Sequence, residues 1–173
     1  LIKEAGLDKP LYLQYFEYLA GVFTGNLGKS LIFGRREVIA EIMDRLPATV
    51  ELALSAFVVS VFLGHVFGFL AAKYGGKVDA GVRIYAMVSY VLFIPFIGLA
   101  LQLVFSVWLG LFPVAGRITP GFEPPRITGL YLVDSLLAGR IDSFLDALWH
   151  LALPSFTLGL VLSGVFVRLI RNN

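Results

Sequence analysis

A charge-free run of thirty residues, 84–113, is the feature that most restricts how this chain can fold. A helix needs about 20 apolar residues to cross the hydrocarbon core of a bilayer. Two more runs without Asp, Glu, Lys or Arg flank it, at 52–72 and 147–167. Helices of soluble domains turn a polar face to water, which such runs do not supply. The sequence therefore predicts an all-α membrane protein, a polytopic helix bundle with three spans.

The composition agrees with a chain embedded in lipid and excludes several classes of function. Hydrophobic residues make up 58% and charged residues 15% of the sequence, and the mean hydropathy is +0.83. Soluble domains have about 25% charged residues. A net charge of +2 is too small to indicate a nucleic-acid partner. Because the chain has no cysteine, no phosphate-binding loop, no metal-spaced His/Asp/Glu cluster and no nucleophile beside a base, we expect no catalytic, cofactor-binding or metal site.

The charge pattern divides the chain and predicts its orientation in the membrane. Basic residues exceed acidic ones after the first run and at the end of the third, which places both segments in the cytoplasm. The predicted order is an external amphipathic region (1–46), a span (47–72), a cytoplasmic connector (73–83), a span (84–112), an external loop with short helices (113–146), a span (147–170) and a cytoplasmic end (171–173). Since the chain starts without Met or a signal-peptide pattern and ends directly after a hydrophobic run, we expect a segment of a longer protein.

Prolines and glycines predict where these elements break. Pro47 is expected to restart a helix after an amphipathic one over 36–46. That amphipathic helix either packs on its own protein or lies among lipid headgroups. Pro95 predicts a tilted, kinked or broken second span, and Pro154 is expected to bend or begin the third. The external loop is expected to hold one or two short helices divided near Gly139.

Rows of small residues at i, i+4 spacing mark the faces on which the spans are expected to pack. Lipid tails give helices no hydrophobic reason to associate, so a tight crossing needs small side chains that let backbones approach. The first span carries the GxxxG pattern at Gly64 and Gly68. The predicted packing residues are Ala56, Ser60, Gly64, Gly68, Gly98, Gly159 and Ser163. These rows predict a multi-helix bundle and do not reveal what passes through it.

A few polar side chains lie deep in the predicted spans. Gln102 is the most polar of them, and because an unpaired amide is costly in hydrocarbon it should face protein or water. It either lines a pathway or holds two helices together, and Ser89 and Tyr90 carry the same alternatives. His65 and His150 are interpreted as packed or interfacial neutral side chains, since a proton relay would need a second titratable group at similar depth.

Four stretches, taken together, carry a family resemblance over nearly the whole chain. They read GNLGKS at 25–30, IMDRLPATVELAL at 42–54, ITGLYLVDSLLAG at 127–139 and ALWHLALP at 147–154. The patterns RLPATxELAL and ITGLYLxDSLLAG are individually quite specific. With them the chain resembles the membrane permease subunits of ABC importers of the dipeptide/oligopeptide/nickel family, on the DppB-like side of the permease pair. The resemblance does not select a substrate.

The resemblance implies how such a chain works with other subunits. It implies a multi-pass protein of the cell (plasma or inner) membrane that forms half of the translocation path for peptides or similar small solutes. The implied partners are a second homologous permease subunit, two subunits that bind ATP and Mg²⁺, an external solute-binding protein and the bilayer, with no nucleic acid and no cofactor on this chain. It also implies a helix before Leu1, and an EAA loop and two spans after Asn173. The external regions would dock the binding protein, with candidate contacts at Asp134, Asp142 and Asp146.

Other classes of function stay open beside this interpretation. A non-transporting membrane scaffold or assembly subunit would use the small-residue rows only to hold its partners. A membrane enzyme is a third alternative, which the lack of clustered catalytic groups disfavours. Within the transporter interpretation, the substrate is a peptide, an oligosaccharide or a metal chelate, and the binding protein is expected to select it.

Overall fold

The computed structural model describes residues 10–30, 36–91 and 93–172, and these residues are predominantly helical. They form α1 (Leu11–Phe23), α2 (Val38–Tyr74), α3 (Gly76–Val91), α4 (Ile94–Gln102), a short π-helix (Leu103–Trp108), α5 (Tyr131–Leu137) and α6 (Ile141–Asn172). No β-strand occurs among the described residues, which contain one isolated bridge between Lys29 and Glu37. The prediction of an all-α membrane protein is confirmed. The chain divides into two compact units, 1–46 and 47–173.

The first unit contains α1 and the turn that follows it. Pro10 precedes the helix, and its carbonyl accepts hydrogen bonds from the N–H groups of Leu13 (3.0 Å) and Gln14 (3.2 Å). Pro suits this position because the first N–H groups of a helix have no partner within it. The helix ends at Thr24, whose hydroxyl donates to the carbonyl of Ala20 at 2.9 Å. All five aromatic side chains of α1 are exposed, namely Tyr12, Tyr15, Phe16, Tyr18 and Phe23.

Helix α2 continues through Pro47, where the sequence predicts a restart. A proline within a helix removes one N–H and crowds the carbonyl four residues earlier, so it usually kinks or ends the helix. Here the ring of Pro47 packs against the loop at Gly129, which has φ +84. A Cβ added at Gly129 would lie 2.9 Å from Cγ of Pro47. The loop therefore covers the proline closely, and one helix replaces the two that were predicted.

Two helices, α2 and α6, are long and apolar enough to cross a membrane. A third candidate span exists if α3 is counted together with the segment Ile94–Trp108, which comprises α4 and the π-helix. The axes of these two parts meet at 105°. Of the tilted, kinked and broken forms predicted near Pro95, the structure has the broken one. Pro95 lies in the first turn of α4, where the lack of an N–H is harmless.

The predicted connector over 73–83 is mostly helical. Gly75 (φ 57) and Gly76 (φ 50) turn the chain in the left-handed region that favours glycine. Helix α3 begins at Gly76, before the charge-free run, so its first two turns carry Lys77, Asp79 and Arg83. The predicted boundary at residue 84 concerns where the membrane span begins, whereas α3 itself begins eight residues earlier, so the helix extends beyond the charge-free run.

Helix α6 is the central element of the second unit. It packs on α3, α4 and α5, and it also contacts α2 closely, through residues described below. It runs through Pro154 without ending, so of the two alternatives predicted there, a bend or a start, the start is excluded. The division near Gly139 is confirmed, because this residue has φ +66 and lies between the end of α5 and the start of α6.

Candidate functional site: a cavity among interrupted helices

A cavity of about 320 Å³ lies between α4, the loop that follows the π-helix, and α6. Its polar lining residues are Gln102, His150 and Thr157, and much of the remaining wall is apolar. Each bounding helix is irregular: α4 starts at the break, a π-helix follows it, and α6 contains Pro154. Irregular backbone at membrane depth is tolerated where it lines a cavity, and π-helices often occur at functional sites. The start of α4, its junction with the π-helix at Gln102 and Pro154 of α6 thus all line this cavity.

Gln102 lies in the cavity wall, at the junction of α4 with the π-helix. Its Nε2 donates a hydrogen bond to the carbonyl oxygen of Val114 at 2.5 Å. One turn further on, the Ser106 hydroxyl donates to the carbonyl of Pro113 at 3.3 Å. The sequence leaves open whether the Gln102 amide lines a pathway or holds two helices together. In the structure the amide lines the cavity and also connects α4 to a loop, which is consistent with both alternatives.

His150 lines the same cavity and is buried, with 6% of its side chain exposed. Its Nδ1 lies 2.9 Å from the carbonyl oxygen of Asp146. The same nitrogen lies 3.5 Å from Oδ2 of the Asp146 side chain, so Asp146 contacts the ring through both its backbone and its side chain. Of the packed and interfacial placements that the sequence allows for His150, its burial agrees with the packed one. The sequence does not show what packs against it, because the loop around Gly116 is distant along the chain.

The other two candidate pathway residues lie outside this cavity. Ser89 is buried at the contact of α3 with α6, and its hydroxyl donates to the carbonyl of Ala86 at 2.9 Å. Tyr90 is exposed, with the guanidinium of Arg168 4.8 Å from its ring centroid. The structure therefore brings Gln102 together with His150 and does not bring it together with Ser89 or Tyr90.

The predicted packing residues lie mostly where α6 meets its neighbours. Gly64 faces Phe166, and a Cβ added at Gly68 would lie 2.8 Å from Cγ2 of Ile170. A Cβ at Gly159 would lie 2.5 Å from Cγ1 of Val59. We call the three glycines Gly64, Gly68 and Gly159 the glycine seam between α2 and α6. They leave no room for a side chain, so the backbones approach closely there.

Serines accompany the small residues at these contacts. Ser60 and Ser163 are fully buried, and the Ser163 hydroxyl lies 2.6 Å from the Tyr85 hydroxyl. Ala56 is also buried, at the Gly159 contact. Gly98 differs from the others: it lines the cavity, and an added Cβ would meet only Cγ2 of Thr157, at 3.8 Å. Among the predicted packing residues, Gly98 is the one with room for a side chain beside the cavity.

A network of buried and half-buried polar groups, which we call the loop hub, connects the start of the first span to the long loop. Its members are Glu51, Arg117, Tyr131 and Asp134. Glu51 accepts from the Arg117 guanidinium at 2.8 Å and from the backbone N–H of Leu132, in the first turn of α5, at 2.7 Å. The guanidinium lies 4.0 Å from the Tyr131 ring centroid. The Glu51 side chain is only 9% exposed, so it faces these partners rather than the surroundings of the chain.

Asp134, a candidate docking residue, holds the loop from inside. It is 0% exposed and accepts hydrogen bonds from the N–H groups of Thr128 (2.8 Å) and Gly129 (2.9 Å). It also accepts from the N–H of Ile127 (3.2 Å) and the Thr128 hydroxyl (2.7 Å). Burial opposes its ionisation, but these hydrogen bonds outweigh burial, so the pKa of this carboxyl lies below its usual value. Asp134 therefore does not present its charge to a partner.

The other two docking candidates are more accessible. Asp146 accepts from the N–H of Thr119 at 2.6 Å and from its hydroxyl at 2.9 Å, and its side chain is 23% exposed. Asp142 is 55% exposed, with Arg140 3.7 Å away. Only Asp142 has the exposure expected of a docking charge. Among the described residues, no three His, Asp or Glu side chains are grouped to hold a metal ion.

Fold and cavity together define a class: an all-α membrane protein with a largely apolar cavity that carries a few polar side chains beside a broken helix. No family model matches the chain. It is 41% identical over 168 residues, 96% of its length, to the di/tripeptide transport system permease protein DppB of Pseudomonas aeruginosa. It is 37% identical over 172 residues (98%) to a probable D,D-dipeptide permease protein, DdpB, of Escherichia coli. It is 30% identical over 173 residues (99%) to the oligopeptide permease protein AppB of Bacillus subtilis.

These matches cover 50%, 50% and 49% of the three relatives, so the chain spans about half of their length. The chain is a homologue of the dipeptide and oligopeptide permease proteins, and the resemblance inferred from its sequence is confirmed. The relatives are permease subunits and are not named as catalysts. Two of the stretches that carry the resemblance, 42–54 and 127–139, meet each other at Pro47–Gly129 and at Glu51–Leu132.

Proposed function

We propose that this chain is part of a permease subunit of an ATP-driven ABC importer in the cell membrane. Its substrates would be peptides or similar small solutes delivered by an external binding protein. The observation that carries the proposal is the similarity, over nearly the whole chain, to proteins named as dipeptide and oligopeptide permeases. A second homologous permease and two ATP-binding subunits complete the assembly. ATP and Mg²⁺ bind to those partner subunits, and this chain binds no cofactor.

The cavity supplies a place for solute within this chain. Ligand sites are commonly 300–1,000 Å³, largely apolar, with a few polar groups that fix orientation. A volume of about 320 Å³ with Gln102, His150 and Thr157 in its wall fits the small end of that range, where a short peptide belongs. Interrupted helices allow the wall to rearrange, and ATP binding to the partner subunits would switch the assembly between outward- and inward-open states.

Gly98 offers the sharpest test of this proposal, because a side chain there grows into the cavity without meeting backbone. The complete transporter, with each Gly98 variant, is reconstituted in proteoliposomes, and ATP-driven uptake of a radiolabelled dipeptide is measured. Gly98→Phe fills the cavity and lowers uptake by about tenfold or more, equivalent to at least about 1.4 kcal/mol in the barrier. Gly98→Ala is the matched control and keeps near wild-type uptake, because its Cβ makes only an ordinary contact.

Assembly is checked by co-purification of all subunits with each variant. Unchanged uptake with Gly98→Phe would show that the cavity is not on the path. An intact assembly that moves no solute in any variant would favour the scaffold alternative.

The docking proposal is tested separately with Asp142→Lys. This variant should weaken binding of the external binding protein without changing helix content, and an unchanged affinity would show that Asp142 is not part of the docking surface.

A further inference from the structure

A small groove, separate from the cavity, lies between α3 and the last turns of α6. It has a volume of about 90 Å³ and is lined by Arg83, Ala86, Met87, Val167, Arg168 and Arg171, which we call the arginine groove. Ala86 and Val167 are buried and form its floor. Three arginines from two helices thus surround one apolar floor near the ends of candidate membrane-spanning helices.

The arginine groove carries more positive charge than its acidic partner neutralises. Asp79 forms ion pairs with two of these arginines. Its Oδ2 lies 2.6 Å from Nη2 of Arg83, and its Oδ1 lies 2.5 Å from Nε of Arg171. Three guanidinium groups against this one carboxylate leave an excess of two positive charges. Each guanidinium has five N–H donors. The pairing with Asp79 therefore orients Arg83 and Arg171 and leaves donors for a second anion.

The surroundings of the groove are those of a membrane interface. Asp79 is the only acidic residue in 73–83 and 167–173, where the chain has Lys73, Lys77 and the three arginines. Met87 in the groove lining exposes 61% of its surface, and Ile84 and Leu169, the chain neighbours of Arg83 and Arg168, expose 62% and 56%. An anion that binds here therefore meets guanidinium groups at one end and exposed hydrocarbon along the helices. That pairing of surfaces matches a phospholipid: a phosphate headgroup with acyl chains below it.

We propose that the arginine groove binds the phosphate headgroup of an anionic phospholipid. The planar guanidinium forms paired hydrogen bonds to phosphate oxygens, which makes arginine the favoured residue for such recognition. The site is independent of the solute cavity, and its ligand holds α3 to α6 at their shared end. A zwitterionic lipid binds more weakly, because the excess positive charge finds no net negative partner.

The experiment is a native mass-spectrometry titration of the purified full chain with dioleoyl phosphatidylglycerol and with dioleoyl phosphatidylcholine. The wild-type protein retains phosphatidylglycerol preferentially. Arg83→Gln combined with Arg168→Gln lowers that preference by about fivefold for each arginine removed, as expected for the attraction of one basic residue to an anionic membrane surface. Arg140→Gln, at an exposed arginine outside the groove, is the matched control and changes nothing.

A charge-keeping variant separates the charge from the paired hydrogen bonds: Arg168→Lys should keep a smaller preference for phosphatidylglycerol than the wild type and a larger one than Arg168→Gln, while circular dichroism shows equal helix content in all three. Equal retention of both lipids by the wild type, or an unchanged preference in the double glutamine variant, would overturn the site. In a last experiment, the thermal unfolding temperature is measured for protein in phosphatidylcholine nanodiscs, with inorganic phosphate added or with phosphatidylglycerol included in the nanodisc. An equal rise of that temperature in both cases would identify an ion site and overturn the lipid assignment.

Discussion

The glycine seam and the loop hub hold neighbouring parts of α2 by opposite means. In the seam, the side chains of Gly64, Gly68 and Gly159 are single hydrogen atoms. Because no larger side chain separates the two helices there, α2 packs directly against α6. In the hub, Glu51 connects the same helix to the loop through an arginine and a backbone N–H. Within lipid, apolar side chains gain nothing by leaving the solvent, so close packing must supply the attraction. Where the chain leaves the apolar region, buried polar partners take over.

Because the two regions are held by different interactions, different kinds of substitution should destabilise them. The seam is sensitive to added volume and indifferent to charge, whereas the hub is sensitive to the loss of a partner and to pH. A seam residue therefore needs a large substitution to reveal its role. A hub residue needs only a small change in charge or hydrogen bonding.

The largest effect is expected from Gly159→Leu. Its Cβ alone would lie 2.7 Å from Cβ of Val59 and 3.1 Å from the Ala56 carbonyl, so the helices must separate. We expect a loss of more than about 3 kcal/mol in the free energy of unfolding, at the upper end of overpacking penalties. Unfolding in mixed micelles with increasing dodecyl sulfate, followed by circular dichroism, measures it. Gly81→Leu is the control, because no atom lies within 4 Å of an added Cβ there.

A smaller effect is expected from Glu51→Ala in the loop hub. It leaves the Arg117 guanidinium, 32% exposed, without its carboxylate and the Leu132 N–H without its acceptor. Because partial exposure lets water replace part of the pair, we expect about 2–3 kcal/mol in the same unfolding assay. Asp142→Asn breaks only an exposed pair and should change stability by less than about 0.5 kcal/mol. Equal effects of the two variants would refute the importance of the hub.

The smallest effect is expected from Asp134→Asn, and it depends on pH. Since the folded chain lowers the pKa of Asp134, its ionised carboxylate adds stability that is fully present above its ordinary pKa of 3.8. That stability is lost as the pH falls further, through the folded-state pKa. At neutral pH the variant should lose about 1–2 kcal/mol, the cost of unsatisfied buried N–H groups. Unfolding curves between pH 7 and pH 3 test this, and parallel losses in both proteins would contradict it.

The sequence predicted what depends on local spacing and missed what depends on distant contacts. The GxxxG row at Gly64 and Gly68 lies at a helix contact because i, i+4 spacing alone sets the face. The division at Gly139 was equally predictable, since a positive φ needs no tertiary partner. The Glu51–Arg117 pair joins residues 66 positions apart, which periodicity does not encode. Similarly, the contact of Pro47 with Gly129 joins residues 82 positions apart, which no local pattern reveals.

The contact between residues 42–54 and 127–139 makes these two recognisable stretches one physical unit. Pro47 fits against Gly129, and Glu51 holds the N–H of Leu132. A chimera that takes only one stretch from a relative would place the Pro47 ring and the Glu51 carboxylate against a loop that evolved with different neighbours, and both contacts would be lost. The two segments should therefore be exchanged together when permeases are recombined, although some 80 residues of sequence separate them.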